Sequence, residues 1–360
     1  MNYKVGFATA DWSNSVVEED GTPTMGGSGW IRIGQYSKYF SMDHVIGTLV
    51  FNNDLGIFGV TDWHENHHFD CEIIYMQRWM FETVPENVKT AISNGQTVVN
   101  DLDDWYWGLH STHRAKNKID PKFNKEENTT HYRNAIANSN LVVVSTPFLA
   151  DKARNKLGAK NVVVFENHVD LDSYKDSFHE HKEGKTVIGW HGSTGHRSDD
   201  LKEVSKVFPQ LPEKEFSFHH TGFYGGHPTF WEETGIPQTR VSLYPMVSPT
   251  KLPRMLPFDI GMCPLNDIPF NHAKSWIKPL EYIAAGIPFV ASKLPEYVRL
   301  KEEYGVGRIA KKFIEWDKAF KALSDPEVRA EEAQRNRNAV ENLDVKKGAL
   351  RLEKILESVR

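Results

Sequence analysis

The sequence predicts an α/β fold: two Rossmann-like parallel-sheet domains facing a central cleft, followed by C-terminal helices. Three observations carry this. Short β-branched runs alternate with segments of helical period; the alternation stops at a polar stretch around residues 170–185 and then begins again; and 360 residues are enough for two packed cores rather than one. Near-continuous apolar strands joined by helices call for a parallel sheet covered on both faces, because right-handed crossovers place the helices there.

The elements follow in order. In the first half "KVGFA", "HVIGTLV", "CEIIYM", "QTVVNDL", "NLVVVST" and "NVVVFEN" are the strand candidates, with helical segments such as residues 85–94 and 132–139 between them. The stretch "ENHVDLDSYKDSFHEHKEGK" has no apolar period. The pattern then restarts with "TVIGWHG", "FSFHHTG", "RVSLYPM", "FDIGMCPL" and "PFVAS". The domains expected are therefore 1–175 and 176–345, with 346–360 as a terminal helix. "ALRLEKILESV" is amphipathic, so its apolar stripe must dock, and the N-terminal domain is the candidate surface.

Charge and cysteine usage exclude several classes. Forty-three Lys and Arg stand against 48 Asp and Glu, a net charge of -5 that argues against indiscriminate binding to a polyanion and leaves any nucleic-acid contact to a local patch. The chain enters an apolar strand at once in "YKVGFATA", and no apolar run approaches the roughly 18 residues of a membrane span, so a soluble cytoplasmic protein is expected. Cys71 and Cys263 each sit in an apolar strand-like run and read as reduced core residues.

Ligands of such folds bind outside the carboxyl ends of strands, so the motifs that follow strands are the ones to read for chemistry. The most informative is "FNHAKSWIKPLEYIAAGIPFVAS", which follows "DIGMCPL". Pro279 fits the first turn of the helix "LEYIAAG", which puts Lys274 and Lys278 at or just before its N-terminus. The helix dipole disfavours cations there by about 0.3 to 1 kcal/mol, and two lysines four apart repel by roughly 0.2 to 0.5 kcal/mol. A bound phosphate or diphosphate reverses both signs, taking N–H groups from the helix start and charge-assisted bonds from the lysines, with Ser275 beside them. Glu281, about a turn further in, is placed to accept from ribose hydroxyls. The plain alternative is solvated lysines, one of them paired with Glu281.

Two glycine-bearing turns are weaker phosphate candidates. In "TPTMGGSGWIRIGQY", Gly26, Gly27, Ser28 and Gly29 precede a helical run, but Arg32 stands where a dinucleotide fingerprint needs its third glycine. In "VIGWHGSTGHRSDDLKEV" a strand leads into Gly192, Ser193, Thr194, Gly195, His196 and Arg197, with a helix expected to start at Ser198–Asp200. Arg197 can clamp a diphosphate in bidentate fashion, and His196 adds a pH-dependent donor.

The remaining constellation is "NDLDDWYWGLHSTHRAKNK". Read as D-x-D, Asp101 and Asp103 would hold a divalent metal. The preferred reading is structural, with Asp103 and Asp104 capping a turn or touching acceptor hydroxyls while Trp105, Tyr106 and Trp107 offer faces for stacking. Arg114, Lys116, Lys118, Lys122 and Lys125 follow in an apparent loop, solvated or facing an anionic acceptor.

These sites in this order resemble the nucleotide-sugar-dependent glycosyltransferases of the GT-B fold, in particular the retaining, glycogen-synthase-like group and its bacterial and bacteriophage members. Gly27–Gly29 match that family's N-terminal glycine loop, Gly192–Arg197 its first C-domain turn, and "KSWIKPLEYIAAGIPFVAS" its donor-binding helix and following strand. "VVNDLDDWYW" and "IGWHGS" belong to the same likeness. The resemblance implies an N-terminal acceptor domain and a C-terminal donor domain. It implies a UDP-sugar or another nucleoside diphosphate sugar as donor, with no cofactor or metal required. Glu281 would hold the ribose, Lys278 and Arg197 would neutralise the departing diphosphate, and His110 would stand near the reacting sugar. Two positions depart from the pattern: Ala273 replaces a second glutamate eight positions before Glu281, and Ser193 replaces the basic residue after Gly192.

The expected reaction is transfer of a hexose or pentose to a hydroxyl on a glycan or protein. Hydroxymethylated bases of bacteriophage-type DNA are the alternative acceptor. A nicotinamide-dependent dehydrogenase or nucleotide-sugar epimerase would need a glycine fingerprint tight on the first strand, and none is present. A non-catalytic nucleotide-sugar-binding protein is the rival from another class, kept alive by Ala273.

Overall fold

The computed structural model describes residues 3–18, 23–109, 127–196 and 199–359. They form two compact units, the first containing the described residues up to 109, then 127–167 and 345–359, the second 168–344.

The first unit is built on an eight-stranded sheet. Its strands are β1 (Val5–Thr9), β4 (His44–Asn52), β5 (Ile57–Thr61), β6 (His67–His68), β7 (Ile73–Gln77), β8 (Thr97–Leu102), β9 (Leu141–Val144) and β10 (Val162–Val164), in the order β10-β9-β8-β7-β1-β4-β5-β6. A separate hairpin pairs β2 (Trp12–Val17) with β3 (Pro23–Met25). From β10 to β4 every pairing is parallel, as the apolar runs predict. The antiparallel edge β4-β5-β6 was not foreseen. It arises at a local turn where Asn52 Oδ1 accepts from the amides of Asp54 and Leu55, both at 3.0 Å, and Gly56 takes φ 63°.

Helices α1 (Gly27–Arg32), α2 (Val84–Ser93), α3 (Asn128–Asn138) and α4 (Pro147–Leu157) connect the strands. Helix α4 shows how local chemistry sets the boundaries. Thr146 accepts from the Leu149 amide at 3.2 Å, Pro147 opens the first turn, and Gly158 ends the helix at φ 78°.

The second unit has a six-stranded, wholly parallel sheet: β11 (Thr186–His191), β12 (Phe216–Phe223), β13 (Val241–Pro245), β14 (Ile260–Cys263), β15 (Phe289–Ser292) and β16 (Arg308–Ala310). Their order is β13-β12-β11-β14-β15-β16, the doubly wound arrangement in which the chain starts in the middle and reverses direction between β11 and β14. Helices α5 (Phe230–Thr234), α6 (Pro269–His272), α7 (Ile277–Ala284), α8 (Pro295–Tyr304), α9 (Phe313–Ala322) and α10 (Pro326–Ala339) complete it. Helix α11 (Val345–Glu357) then returns to the first unit. Its Val345, Ala349, Leu352 and Leu356 join the core formed by Val5, Phe7, Tyr36 and Tyr75. Among the described residues no helix is long and apolar enough to cross a membrane, and Cys71 and Cys263 are both buried with no disulfide between them.

The helix expected from Ser198 is replaced by a short 3-10 turn, Leu201–Val204. Asp200 does not cap it. Its buried carboxylate instead accepts from the Asn266 amide at 3.0 Å and Asn271 Nδ2 at 2.7 Å, spending the cap on the loop after β14.

Candidate functional site

The reversal point of the second sheet, outside the carboxyl ends of β11 and β14, is where open α/β sheets bind ligands. Strand β11 ends at His191 and runs into Gly192, whose φ of 131° only glycine adopts easily. Gly222, at the end of β12 with φ 115°, packs backbone to backbone against it: a Cβ on Gly222 would lie 2.6 Å from the Gly192 carbonyl oxygen. His220 Nε2 donates to that same oxygen at 2.8 Å. Burial pushes the His220 imidazole down to about 4, so it is neutral at ordinary pH with its proton on the nitrogen facing Gly192.

Helix α7 supplies the groups from the β14 side. Lys278, in its first turn, donates to the His191 carbonyl, and its ammonium stands 5.1 Å from the Trp190 ring centroid. A Cβ at Gly192 would come to 3.3 Å from that nitrogen. Lys274, just before the helix, lies 4.4 Å from the Phe270 ring centroid. Glu281 is buried on the second turn, with Oε2 3.0 Å from His191 Nε2. Tyr282 OH accepts from the His191 amide at 3.3 Å. The helix has no side-chain cap at its N-terminus, and Pro279 has no N–H there. Three side chains of α7, Lys278, Glu281 and Tyr282, thus grip one residue at the end of β11.

Ser193, Thr194, Gly195 and His196 form the turn after Gly192, with a 3-10 segment over Thr194–His196. Ser193 Oγ lies 3.1 Å from His227 Nδ1 and accepts from the Gly195 amide at 3.2 Å, so the hydroxyl folds the turn onto the loop after β12. Ser275 is half-buried ahead of α7, and Ala273 is fully buried at the end of α6. Arg197, His110 and Arg114, with the basic residues up to Lys125, lie outside the described residues. His191 and His227 belong to this site although neither has a motif of its own. The hint for His227 is the Thr229–Glu232 capping box two residues on, which fixes where its loop ends.

The glycine loop of the first unit is engaged by the chain itself. Asp11 Oδ2 accepts from the Gly29 amide at 2.9 Å, putting the protein's own carboxylate at the start of α1, and Gln77 Nε2 donates to the Ser28 carbonyl at 3.2 Å. Gly27 has open space around it.

The aspartates at the end of β8 and just beyond it are held by arginines. Asp101 is buried and takes Arg32 Nε at 3.0 and 3.1 Å and Nη2 at 2.7 Å, with Tyr75 OH as a further donor. Burial pushes the Asp101 carboxyl up, with Arg32 opposing it. Asp103 and Asp104 flank Arg78. Trp105 is buried against Trp107, and Trp107 stacks on Tyr132 with 6.2 Å between centroids. A different trio, His179, His181 and Asp259, brings three ligand atoms within 4.8 Å, but Arg329 Nε donates to His181 Nδ1 at 3.3 Å and Nη2 lies 3.7 Å from Asp259, so a guanidinium already supplies the positive charge.

No protein-family profile matches the chain, and no curated protein matches it in sequence. Solved structures do match in three dimensions. Sucrose-phosphate synthase from Thermosynechococcus elongatus superposes with a TM-score of 0.67 at 11% identity, covering 99% of this chain and 98% of that one. HepE of Anabaena, solved with UDP and glucose, gives 0.64 at 14% identity over 99% and 100%. The trehalose-6-phosphate synthase OtsA gives 0.55 at 10% identity over 79% and 72%. Two parallel α/β sheets in one chain, matched nearly end to end by the first two of these structures, give this protein the GT-B glycosyltransferase fold.

Proposed function

We propose that the protein is a retaining glycosyltransferase that moves a sugar from a nucleoside diphosphate sugar, a UDP-sugar first, to a hydroxyl of a glycan or protein. The observation that carries this reading is the convergence of Lys278 and Glu281 on the end of β11 at the reversal point of the second sheet, with Lys274 just ahead of the same helix. The HepE structure with UDP-glucose, similar to this chain at a TM-score of 0.63, supports the choice of donor.

Breaking the anomeric bond leaves negative charge on the diphosphate and positive charge on the sugar, so fixed cations and N–H dipoles around the phosphate are the main catalytic device. Lys274, Lys278 and the α7 N-terminus supply that charge, with Arg197 as a further clamp and His110 beside the sugar. Glu281 accepts from the ribose hydroxyls while His191 orients its carboxylate. The acceptor oxygen attacks the anomeric carbon from the face the diphosphate leaves, and the departing phosphate oxygen takes the acceptor proton. Balance needs no covalent nucleophile and no metal.

The test is release of nucleoside diphosphate from UDP, GDP, ADP and dTDP sugars, each with a glycan and protein lysate or with hydroxymethylated DNA. Release of UDP with the lysate is expected. Release with the DNA alone would move the acceptor to modified bases, and no release from any donor would leave a binding protein.

A further inference from the structure

At the carboxyl end of β1, in the first unit, two tryptophans meet outside the core. The ring centroids of Trp12 and Trp63 are 4.0 Å apart and their planes stand at 80°, an edge-to-face corner. Both side chains are half-buried, and neither belongs to the two hydrophobic cores of this unit. Trp105, read from the sequence as a stacking face, is by contrast buried. The end of β1 lies where this sheet's order turns back, between β7 and β4, the position where such sheets take ligands.

The corner is fixed from both sides. Trp12 Nε1 donates to the carbonyl of Thr9, the last residue of β1, at 2.7 Å. Its neighbour Asp11 accepts from the Gly29 amide through Oδ2 and from the Gly26 amide through its carbonyl, so Trp12 stands one residue from the contacts that hold the glycine loop. Trp63 sits on the turn between β5 and β6, which Asp62 organises. Asp62 Oδ1 accepts from the amides of His64 at 2.8 Å and Asn66 at 3.0 Å, and Oδ2 lies 2.8 Å from His68 Nε2. The bond to His68, followed by those from Asn66 and His64, holds the Asp62 carboxyl well below the usual carboxylate range. Glu65 takes φ 63° on the same turn, a left-handed conformation uncommon for a residue with a Cβ. Backbone strain of this kind persists where the surroundings over-determine it, and it gathers at ligand clamps. An indole left partly in water on so fixed a turn is a preformed surface, with little ordering still to be done when a ring lands on it.

Composition decides which ring. The segments that build the corner, residues 5–31 and 39–77, contain no lysine or arginine. Single-stranded nucleic acid is held by aromatic stacking together with a cationic groove that follows its phosphates, and these segments supply no such groove. The residues that follow Trp63, His64, Glu65 and Asn66, are exposed and polar. A sugar ring suits that setting: its C–H face rests on the electron-rich face of an indole, while its hydroxyls keep polar partners or water. We propose that the Trp12–Trp63 corner is a carbohydrate-stacking site that takes a pyranose ring of a glycan chain. Its use as part of the acceptor site rests on the transferase reading; the stacking itself does not.

The test applies the full chain to an array of neutral glycans and, separately, to a thymidine oligonucleotide, with UDP titrated in parallel. At least one glycan should bind. Trp63→Leu, which keeps an apolar side chain against Trp12 but no aromatic face, should weaken that glycan about tenfold, whereas Trp63→Tyr should stay within about threefold of wild type. A purely structural role for Trp63 would not separate the two variants in this way once both are folded by circular dichroism. Saturation-transfer NMR on the wild type needs no variant: saturating the aromatic protons should reach the C–H protons of the bound sugar ring. Binding of no glycan, no transfer from the aromatic protons, Trp63→Leu binding as wild type, or retention of the oligonucleotide in place of a glycan would overturn the proposal. UDP binding without glycan binding removes this site and leaves the donor reading; glycan binding without UDP binding does the reverse.

Discussion

Asp101 and Arg32 show how a residue changes meaning once its partner is known. The D-x-D spelling offers Asp101 as a metal ligand, yet it is fully buried in a bidentate pair with Arg32, which also donates to the Phe165 carbonyl and Asn167 Oδ1, each at 2.7 Å. That partner is 69 positions away, beyond the reach of any local pattern. Arg32 is the same residue that spoils the glycine fingerprint, so both irregularities have one cause. Breaking a buried pair by removing one charge costs about 3 to 5 kcal/mol, because the survivor keeps its desolvation penalty. Asp101→Asn should therefore lower the unfolding free energy of the first unit by about that amount in urea denaturation. EDTA should leave the wild-type transition where it is; a large EDTA shift abolished by the substitution would restore the metal reading.

At the scale of elements, the ends of β11 and β12 form a clamp whose stability depends on pH. His219 and His220 sit side by side on β12, and burial lowers both to about 4. The folded protein therefore binds these protons later than the unfolded chain, whose histidines titrate near 6.5. Stability is fully present above that unfolded value and is lost as pH falls toward about 4, by up to about 3 kcal/mol for one histidine at 1.36 kcal/mol per unit. His220→Gln keeps a donor for the Gly192 carbonyl without the titration. Thermal melts between pH 7 and 4 should show a shallower loss for this variant than for wild type; equal slopes would remove His220 from the account. Helix α7 is fixed at its other end as well, where the His179 amide donates to the Ala285 carbonyl at 2.7 Å, His181 Nε2 lies 2.9 Å from the Gly286 carbonyl oxygen and Arg337 reaches the Ala284 carbonyl.

Across the whole molecule, what could be read from the sequence was whatever repeats locally. The β-branched runs at Thr97–Leu102 and Leu141–Val144 announced parallel strands, and the apolar spacing of "IKPLEYIA" announced α7 with Lys278 and Glu281 on it. Two Rossmann-like domains followed from those elements, the likeness of the motifs to a known family implied the GT-B fold, and solved structures match it. Hidden were the features made by pairing across the chain. His191 meets Glu281 only after a full crossover, Arg78 gathers carboxylates from two other strand ends through a backbone angle no residue type advertises, and β5 turns back at a hairpin set by Asn52. The central claim is that the reversal point of the second sheet binds a nucleoside diphosphate. Calorimetric titration of UDP into wild type, Glu281→Ala and Lys278→Ala tests it most directly. A hydrogen bond to a charged group is worth about 1.5 to 3 kcal/mol, so each variant should bind UDP roughly 10- to 100-fold more weakly while the fold stays intact by circular dichroism. Unchanged UDP affinity in both variants, or no UDP binding by the wild type, would contradict it.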